Sequence, residues 1–357
     1  MSETFSSHVP LGMSNDSAMY IKSITPYTLK FKFPAGTSRG IYTEHPVQYI
    51  EVADAHDPAH VGMGEYAPLP DLSPDTSSAM LFAMETAIWH YHAQSKFLSV
   101  LPHGYAAYHD SIEGKGTQTL PTHAEIQSFS IPINGLIWMG DYDTMKQRIE
   151  EKLSAGFRCL KLKIGAINFF DEIALLRQIR HRFPREVVEL RVDANGAFQA
   201  GDDALRKLDI LSQLDLHSIE QPIRAGQWHE MAKLCRNTPL PIALDEELIP
   251  NPSFATYTTE YKAKLLDEIA PQYIILKPSL HGGLSSCDEW IRLAQQRNIG
   301  WWATSALESN VGLNAIAHWV AQYHPTQPQG LGTGQIYENN IEGYPLALKG
   351  DELWCKR

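Results

Sequence analysis

The chain has 357 residues, 43% hydrophobic and 20% charged, the balance of a globular protein large enough for about two domains. Its 30 Lys and Arg against 41 Asp and Glu give a net charge of −11, which repels phosphate backbones and anionic lipid, so neither nucleic acid nor a membrane is expected as a partner. The four cysteines, Cys159, Cys235, Cys287 and Cys355, lie far apart with no Cys-x-x-Cys pair, which speaks against a disulfide framework or zinc knuckle and for a reducing cytoplasm. No basic residue precedes Lys22 and no run of about 18 apolar residues occurs, so no export signal and no membrane span are expected.

Residues 1–17 are polar and Ser-rich and read as a flexible extension. Alternation in Thr28-Leu29-Lys30-Phe31-Lys32-Phe33 and in Val47-Gln48-Tyr49-Ile50-Glu51-Val52 predicts two facing strands, with residues 34–46 as a long loop between them. Within that loop Gly36-Thr37-Ser38-Arg39-Gly40 matches the nucleophile-elbow pattern, but between two strands it is a poor hydrolase signal. Gly62-Met63-Gly64-Glu65-Tyr66-Ala67 matches a relaxed dinucleotide fingerprint. Pro68 and Pro70 follow where a helix should start, so a turn near the site is predicted instead. Helical spacing of Met80, Phe82, Ala83, Met84, Ala87, Ile88 and Tyr91 predicts a helix over 77–92, and the Gly, Pro and His content of 103–122 predicts a linker. This first section reads as a small α+β domain. None of the 15 histidines shows zinc-ligand spacing, and one of Trp301 and Trp302 is expected to line a pocket while the other tryptophans pack.

Beyond residue 130 the pattern changes. Short β-rich runs at 131–134, 159–164, 190–193, 218–221, 242–245, 273–277, 300–304 and 331–334 recur with helical stretches such as 169–183 and 286–297 between them. Repeated βαβ units predict a closed parallel barrel, and periodicity alone leaves an open doubly wound sheet as the alternative. Five successive runs end in charge: Lys161-x-Lys163, Asp193, Glu220, Asp245 and Lys277. Their spacing is roughly the 30 residues of one βαβ unit, so in a barrel they converge on the face where all strands end.

Three converging carboxylates repel one another unless a cation sits among them. Asp193, Glu220 and Asp245 are hard oxygen donors, which favours Mg²⁺ or Mn²⁺ over Zn²⁺ and leaves about three coordination places for substrate oxygens and water. Lys161 and Lys163, two apart on one strand, point to the same side. A neighbouring ammonium and a dication both disfavour further positive charge, the condition under which a lysine amine serves as a base. With Lys277 on the opposite side of the mouth, this set suits abstraction of a proton α to a carboxylate and neutralisation of the resulting enediolate.

Lys161-Leu162-Lys163, Val192-Asp193-Ala194-Asn195, Ile219-Glu220-Gln221-Pro222, Leu244-Asp245-Glu246, Ile275-Leu276-Lys277-Pro278 and Ser305-Ala306-Leu307-Glu308-Ser309 resemble the motifs of the enolase superfamily, muconate lactonising subgroup. The resemblance implies a modified TIM barrel, (β/α)7β, of residues 126–334, with an α+β capping domain of residues 18–125 and 335–357. It further implies Lys161, Lys163 and Lys277 as the catalytic lysines. Members of that superfamily use a Lys or His base together with one or two Mg²⁺ ions.

Within the subgroup, Gly64-Glu65-Tyr66-Ala67-Pro68-Leu69-Pro70, Pro132-Ile133-Asn134-Gly135-Leu136-Ile137-Trp138, Lys277-Pro278-Ser279-Leu280-His281-Gly282-Gly283 and Gly330-Leu331-Gly332-Thr333-Gly334 look most like the o-succinylbenzoate synthase family of menaquinone-making bacteria. That family resemblance implies a Mg²⁺-dependent lyase, in which Lys163 takes the α proton, Lys277 stabilises the enediolate, and Asn195, Glu246 and Lys161 hold the site in place. Ser38 and Arg39 then fall in the capping loop that closes over a succinyl tail. Thr304-Ser305, where Ser-Ser is often found, would touch the substrate. N-acylamino acid racemases and dipeptide epimerases share the catalytic set and stand as the alternative. A small-molecule carboxylate is the expected partner, for a monomer or a homo-oligomer.

Overall fold

The computed structural model describes residues 19–37, 40–73, 76–95, 129–250, 258–333, 336–344 and 346–355. The predicted flexible extension and the predicted linker both lie outside these residues, as do Ser38 and Arg39.

β1 (Met19–Thr37) and β2 (Gly40–Asp54) alternate in burial, with Leu29, Phe31, Val47 and Tyr49 turned inward, and they pair antiparallel from Met19↔Asp54 to Thr37↔Gly40. The long loop expected over 34–46 is therefore replaced by paired strand. Ladder partners resume at Ala35↔Tyr42 after a register shift beyond Lys30. Pro34 reads as a strand breaker, but on an edge strand beside an irregularity its missing N–H costs no ladder bond.

A third strand, β3 (Asp57–Tyr66), completes this sheet on the far side of β2. It stands where a turn was predicted, and its glycines have a packing reason. The helix α1 (Ser77–Ser95) lies so close that a Cβ on Gly62 would come within 2.0 Å of the Ala87 carbonyl oxygen, and one on Gly64 within 1.9 Å of that of Ala83. Glycine here admits the helix backbone rather than a dinucleotide.

The second unit is a seven-stranded parallel sheet in sequential order: β5 (Gly135–Ile137), β6 (Cys159–Lys163), β7 (Glu189–Asp193), β8 (Ser218–Glu220), β9 (Ile242–Leu244), β10 (Tyr273–Leu276) and β11 (Gly300–Ala303). Helices α2 (Tyr142–Ser154), α3 (Phe169–Arg182), α4 (Asp202–Ser212), α5 (Trp228–Asn237), α6 (Thr259–Ile269), α7 (Gly283–Gln295) and α8 (Asn310–Ala321) follow the strands and pack on them. Asp141, Asn168, Thr258 and Ser309 cap α2, α3, α6 and α8 with side-chain oxygens. Gln329 bridges Ile133 and Gly330 bridges Thr304, so a two-residue eighth stave joins β11 back to the start and closes the barrel. The open doubly wound alternative is thereby removed.

Two of the eight predicted runs shift. Phe129–Pro132 forms β4, which pairs antiparallel with the C-terminal hairpin β12 (Leu346–Lys349) and β13 (Glu352–Cys355), and the first barrel strand starts only at Gly135. The last run makes its bridges at 329–330 rather than over 331–334.

The two largest of the apolar clusters among the described residues divide the work. One fills the layer between barrel strands and helices, and the other joins Leu29, Phe31, Val47 and Tyr49 of the first sheet to Leu280, Ala306 and Leu307 at the barrel mouth. Each such fully buried side chain contributes roughly 1.5–3 kcal/mol by its removal from water. Among the described residues no helix is long and apolar enough to cross a membrane.

Candidate active site

Parallel register decides which side chains meet. Lys163 pairs with Asp193 across β6 and β7, and Asp193 with Glu220 across β7 and β8. Because side chains alternate along a strand, Lys161 and Lys163 enter the barrel mouth together while Leu160 and Leu162 join the core beneath the helices. Lys161 Nζ lies 2.9 Å from Glu220 Oε2 and 3.4 Å from Asp193 Oδ2. Lys163 Nζ donates to Asp193 Oδ2 at 3.0 Å and to Asn195 Oδ1 at 2.8 Å. From β10, on the opposite side of the barrel, Lys277 Nζ donates to Asp245 Oδ2.

Asp245 follows β9, where its backbone N–H is held by Gln221 Oε1 at 3.1 Å. Asn195 adopts φ of 44°, a left-handed backbone that asparagine tolerates, and its amide spans from Lys163 to Glu246, donating to Glu246 Oε1 at 3.0 Å. The structure thus brings Lys161, Lys163, Asp193, Asn195, Glu220, Asp245, Glu246 and Lys277 to one place.

Burial and charge oppose each other throughout this cluster. Burial disfavours ionisation of Asp193, but the ammonium groups of Lys163 and Lys161 outweigh it and hold the carboxyl below its usual range. Glu220 is pushed up to about 8, first by burial and then by the Asp193 charge. Burial also raises Asp245, against the pull of Lys277, and Glu246 likewise. Lys161 and Lys277 lie above the ordinary lysine range because neighbouring carboxylates, Glu220 for the first and Asp245 for the second, overcome burial.

Four carboxyl groups therefore face three lysines, and Glu220 Oε1, Asp245 Oδ1 and Glu246 Oε2 are buried with no hydrogen-bond partner among the described residues. A hard divalent cation fits this donor set, since it would take up oxygens that nothing else satisfies. Among the described residues no three His, Cys, Asp or Glu side chains are grouped closely enough to hold a metal ion as they stand. Lys161, Lys163 and Lys277 are ion-paired with Glu220, Asp193 and Asp245.

Above the cluster opens a cavity bounded by both units of the fold. Its floor carries Lys161, Lys163, Asn195, Glu246 and Lys277. Its walls carry Thr304 and Ser305 together with Asn134, Leu136, Trp138, Ala306, Leu307 and Thr333, and the first section adds Tyr42, Leu69 and Leu72. Asn134 Oδ1, Thr304 Oγ1 and Thr333 Oγ1 are buried and have no hydrogen-bond partner among the described residues.

The tryptophan expectation was misplaced. Trp302 is buried in the barrel below the site with Arg191 stacked 4.3 Å from its ring, Trp301 packs on Trp319 and Tyr323, and Trp138 is the one that lines the cavity. The sequence gives no sign that Glu65 and Glu308 are buried or that Glu85 is half-buried. Glu65 and Glu308 do lie within motif stretches, but a lone acid in such a stretch gives no sign that its neighbours will bury it.

Residues 144–345 match the model of the enolase C-terminal domain-like family. An o-succinylbenzoate synthase of Desulfotalea psychrophila is 44% identical over 365 residues, covering 91% of this chain and 96% of the relative. The crystal structure of MenC from the same organism superposes with a TM-score of 0.69 at 41% identity, covering 94% of this chain and 99% of that one. A dipeptide epimerase from Cytophaga hutchinsonii, solved with Mg and a dipeptide, shares the fold at a TM-score of 0.75 and 18% identity, with 93% of each chain covered. The chain belongs to the enolase C-terminal domain-like family, within the enolase superfamily.

Proposed function

We propose that this chain is an o-succinylbenzoate synthase, a lyase that converts 2-succinyl-6-hydroxy-2,4-cyclohexadiene-1-carboxylate to 2-succinylbenzoate and water in menaquinone biosynthesis. The observation that carries this reading is the 44% identity to a synthase over nearly the whole length of both chains. The lysines and carboxylates at the barrel mouth suit the same chemistry.

Asp193, Glu220 and Asp245 are the residues that would hold Mg²⁺, and the unpartnered oxygens of Glu220 and Asp245 support that assignment. When bound, the cation supplies positive charge to the substrate carboxylate, which acidifies the α carbon. Lys163 Nζ takes the α proton. Asn195 Oδ1 and Asp193 Oδ2 aim that nitrogen. Lys277, entering from the opposite side and kept charged by its carboxylate neighbours, neutralises the enediolate without transferring a proton. Protonated Lys163 then gives its proton to the departing hydroxyl, which leaves as water as the ring becomes aromatic. The apolar walls formed by Leu69, Leu72, Leu136, Trp138 and Leu307 exclude bulk water. Asn134, Thr304 and Thr333 offer polar atoms to the succinyl group.

Four free, buried cysteines support a cytoplasmic enzyme. The test is turnover of the cyclohexadiene carboxylate with Mg²⁺, beside the same assay with chelator. Rapid formation of 2-succinylbenzoate that stops on chelation is the expected result. No turnover, with α-hydrogen exchange of N-succinylamino acids in D₂O, would move the function to racemisation.

A further inference from the structure

Lys277 sits at the start of a tight turn. Its carbonyl accepts from the N–H groups of Leu280 and His281, and its own N–H donates to His281 Nδ1 at 3.0 Å. The turn's remaining polar side chain is Ser279, which is 1% exposed and donates to Glu308 Oε1 at 2.5 Å. The other oxygen of Glu308 accepts from Ser305 Oγ at 2.6 Å and from the Ala306 N–H at 2.7 Å. Glu308 is fully buried, and neither it nor Ser279 lines the cavity. One carboxylate thus joins two loops that are far apart in sequence. The first bears Lys277, and the second bears Ser305, Ala306 and Leu307 of the cavity wall.

We propose that Glu308 is a positioning residue, a clasp whose two oxygens hold the Lys277 turn in register with the 305–307 wall. This rests on the synthase reading for its kinetic consequence, though not for its structural one. The geometry separates the two arms. The Ser279 arm acts only on the turn that carries the lysine, so its loss shifts Lys277 against a substrate that is still bound by an intact wall. The Ser305 and Ala306 arm acts on the wall, so losing both arms affects binding as well. A displacement of an ångström at a reacting group costs up to about 100-fold in rate.

The test compares Ser279→Ala, Glu308→Ala, Glu308→Gln and the Ser279→Ala/Glu308→Ala double variant. Ser279→Ala is expected to lower kcat about 10-fold with KM within about 2-fold, the split that a displaced charge-neutralising group gives. Glu308→Ala should lower kcat by at least as much and also raise KM. The double variant should be no worse than Glu308→Ala, since both remove the same arm. Glu308→Gln should recover most of the activity, because the amide oxygen still accepts from the Ala306 N–H and its NH₂ can donate to the Ser279 hydroxyl.

Wild-type kcat in Ser279→Ala, or multiplying effects in the double variant, would overturn the clasp. Should Glu308→Ala not fold, Ser279→Ala and Glu308→Gln carry the comparison. Hydrogen exchange separates this idea from the functional reading. Faster exchange at 279–281 in Ser279→Ala, with the rest of the barrel unchanged, supports the clasp even if the wild type turns over no cyclohexadiene carboxylate, and unchanged exchange there sinks it.

Discussion

Lys163 and Lys277 reach the same cavity from strands on opposite sides of the barrel, and their contacts assign them different work. Lys163 is held by one charged and one neutral acceptor, Asp193 and Asn195, and lines the cavity. Lys277 is paired with Asp245 and surrounded by further carboxylates, which keep it cationic. Replacing Lys163 with Ala should therefore abolish both turnover and α-proton exchange, a loss on the order of 10³-fold or more in kcat with the circular dichroism spectrum unchanged. Asn195→Ala leaves the base in place but removes one of its two anchors and the link to Glu246. A smaller fall, about 10-fold in kcat, is expected. Equal losses in the two variants would mean that Lys163 is not the proton acceptor.

At the scale of elements, the first section is fastened to the barrel through helix ends. α7 starts at Gly283 after a glycine N-cap that has no side chain to offer, and Glu85 of α1 supplies the missing acceptor to the N–H groups of Leu284 and Ser285. α8 receives Glu65 of β3 on the N–H groups of Ser309 and Gly312, at 2.8 and 2.7 Å. Both are carboxylates placed at the positive end of a helix, yet burial exceeds the effect of these donors and raises each to about 7. A folded-state value above the unfolded 4.5 means that the contribution to stability is fully present below pH 4.5 and is lost as pH rises through 7. For Glu65 the loss is on the order of 3 kcal/mol between those limits. Urea unfolding of wild type and Glu65→Gln at pH 4.5, 6 and 7.5 should show the difference between them changing with pH in that sense. A constant difference would show that Glu65 is ionised in the fold as it is in the unfolded chain.

These fastenings also mark where sequence stops being informative. The barrel strands were legible because strands buried on both faces read as apolar runs, and because a charge at each end recurs at the βαβ interval. β3 was not, since Gly62 and Gly64 are chosen for the backbone of α1, a tertiary neighbour that no local pattern reveals. The hairpin over 34–46 was hidden for a related reason, as proline and glycine carry no sign of whether they interrupt a strand or ride on its edge. In the site, Asp193, Glu220, Asp245 and the lysines announced themselves through type and spacing. The cavity walls did not, because Leu69, Leu72 and Trp138 are ordinary apolar residues until the two units of the fold are brought together.

For the molecule as a whole, the carboxylate cluster sets stability against function. Asp193, Glu220 and Asp245 are buried and Glu246 half-buried at the mouth of the barrel, with oxygens on three of the four unsatisfied among the described residues, and removing such charge from water is costly unless it is paired. A cation that binds the folded chain and not the unfolded one stabilises it by about 2.7 kcal/mol when present at 100 times its dissociation constant. In a domain of 150–250 residues that corresponds to roughly 5–10 °C in Tm, and a larger chain moves less. Thermal unfolding of the chelator-treated protein should therefore shift upward by a few degrees on addition of millimolar Mg²⁺. Asp245→Asn removes one of the three assigned ligands while keeping its shape, so its own Tm should hardly respond to Mg²⁺, whatever the substitution does to stability in the absence of metal. An identical Mg²⁺ response in wild type and Asp245→Asn would place the cation elsewhere, and no response in either would leave the cluster neutralised by its lysines alone.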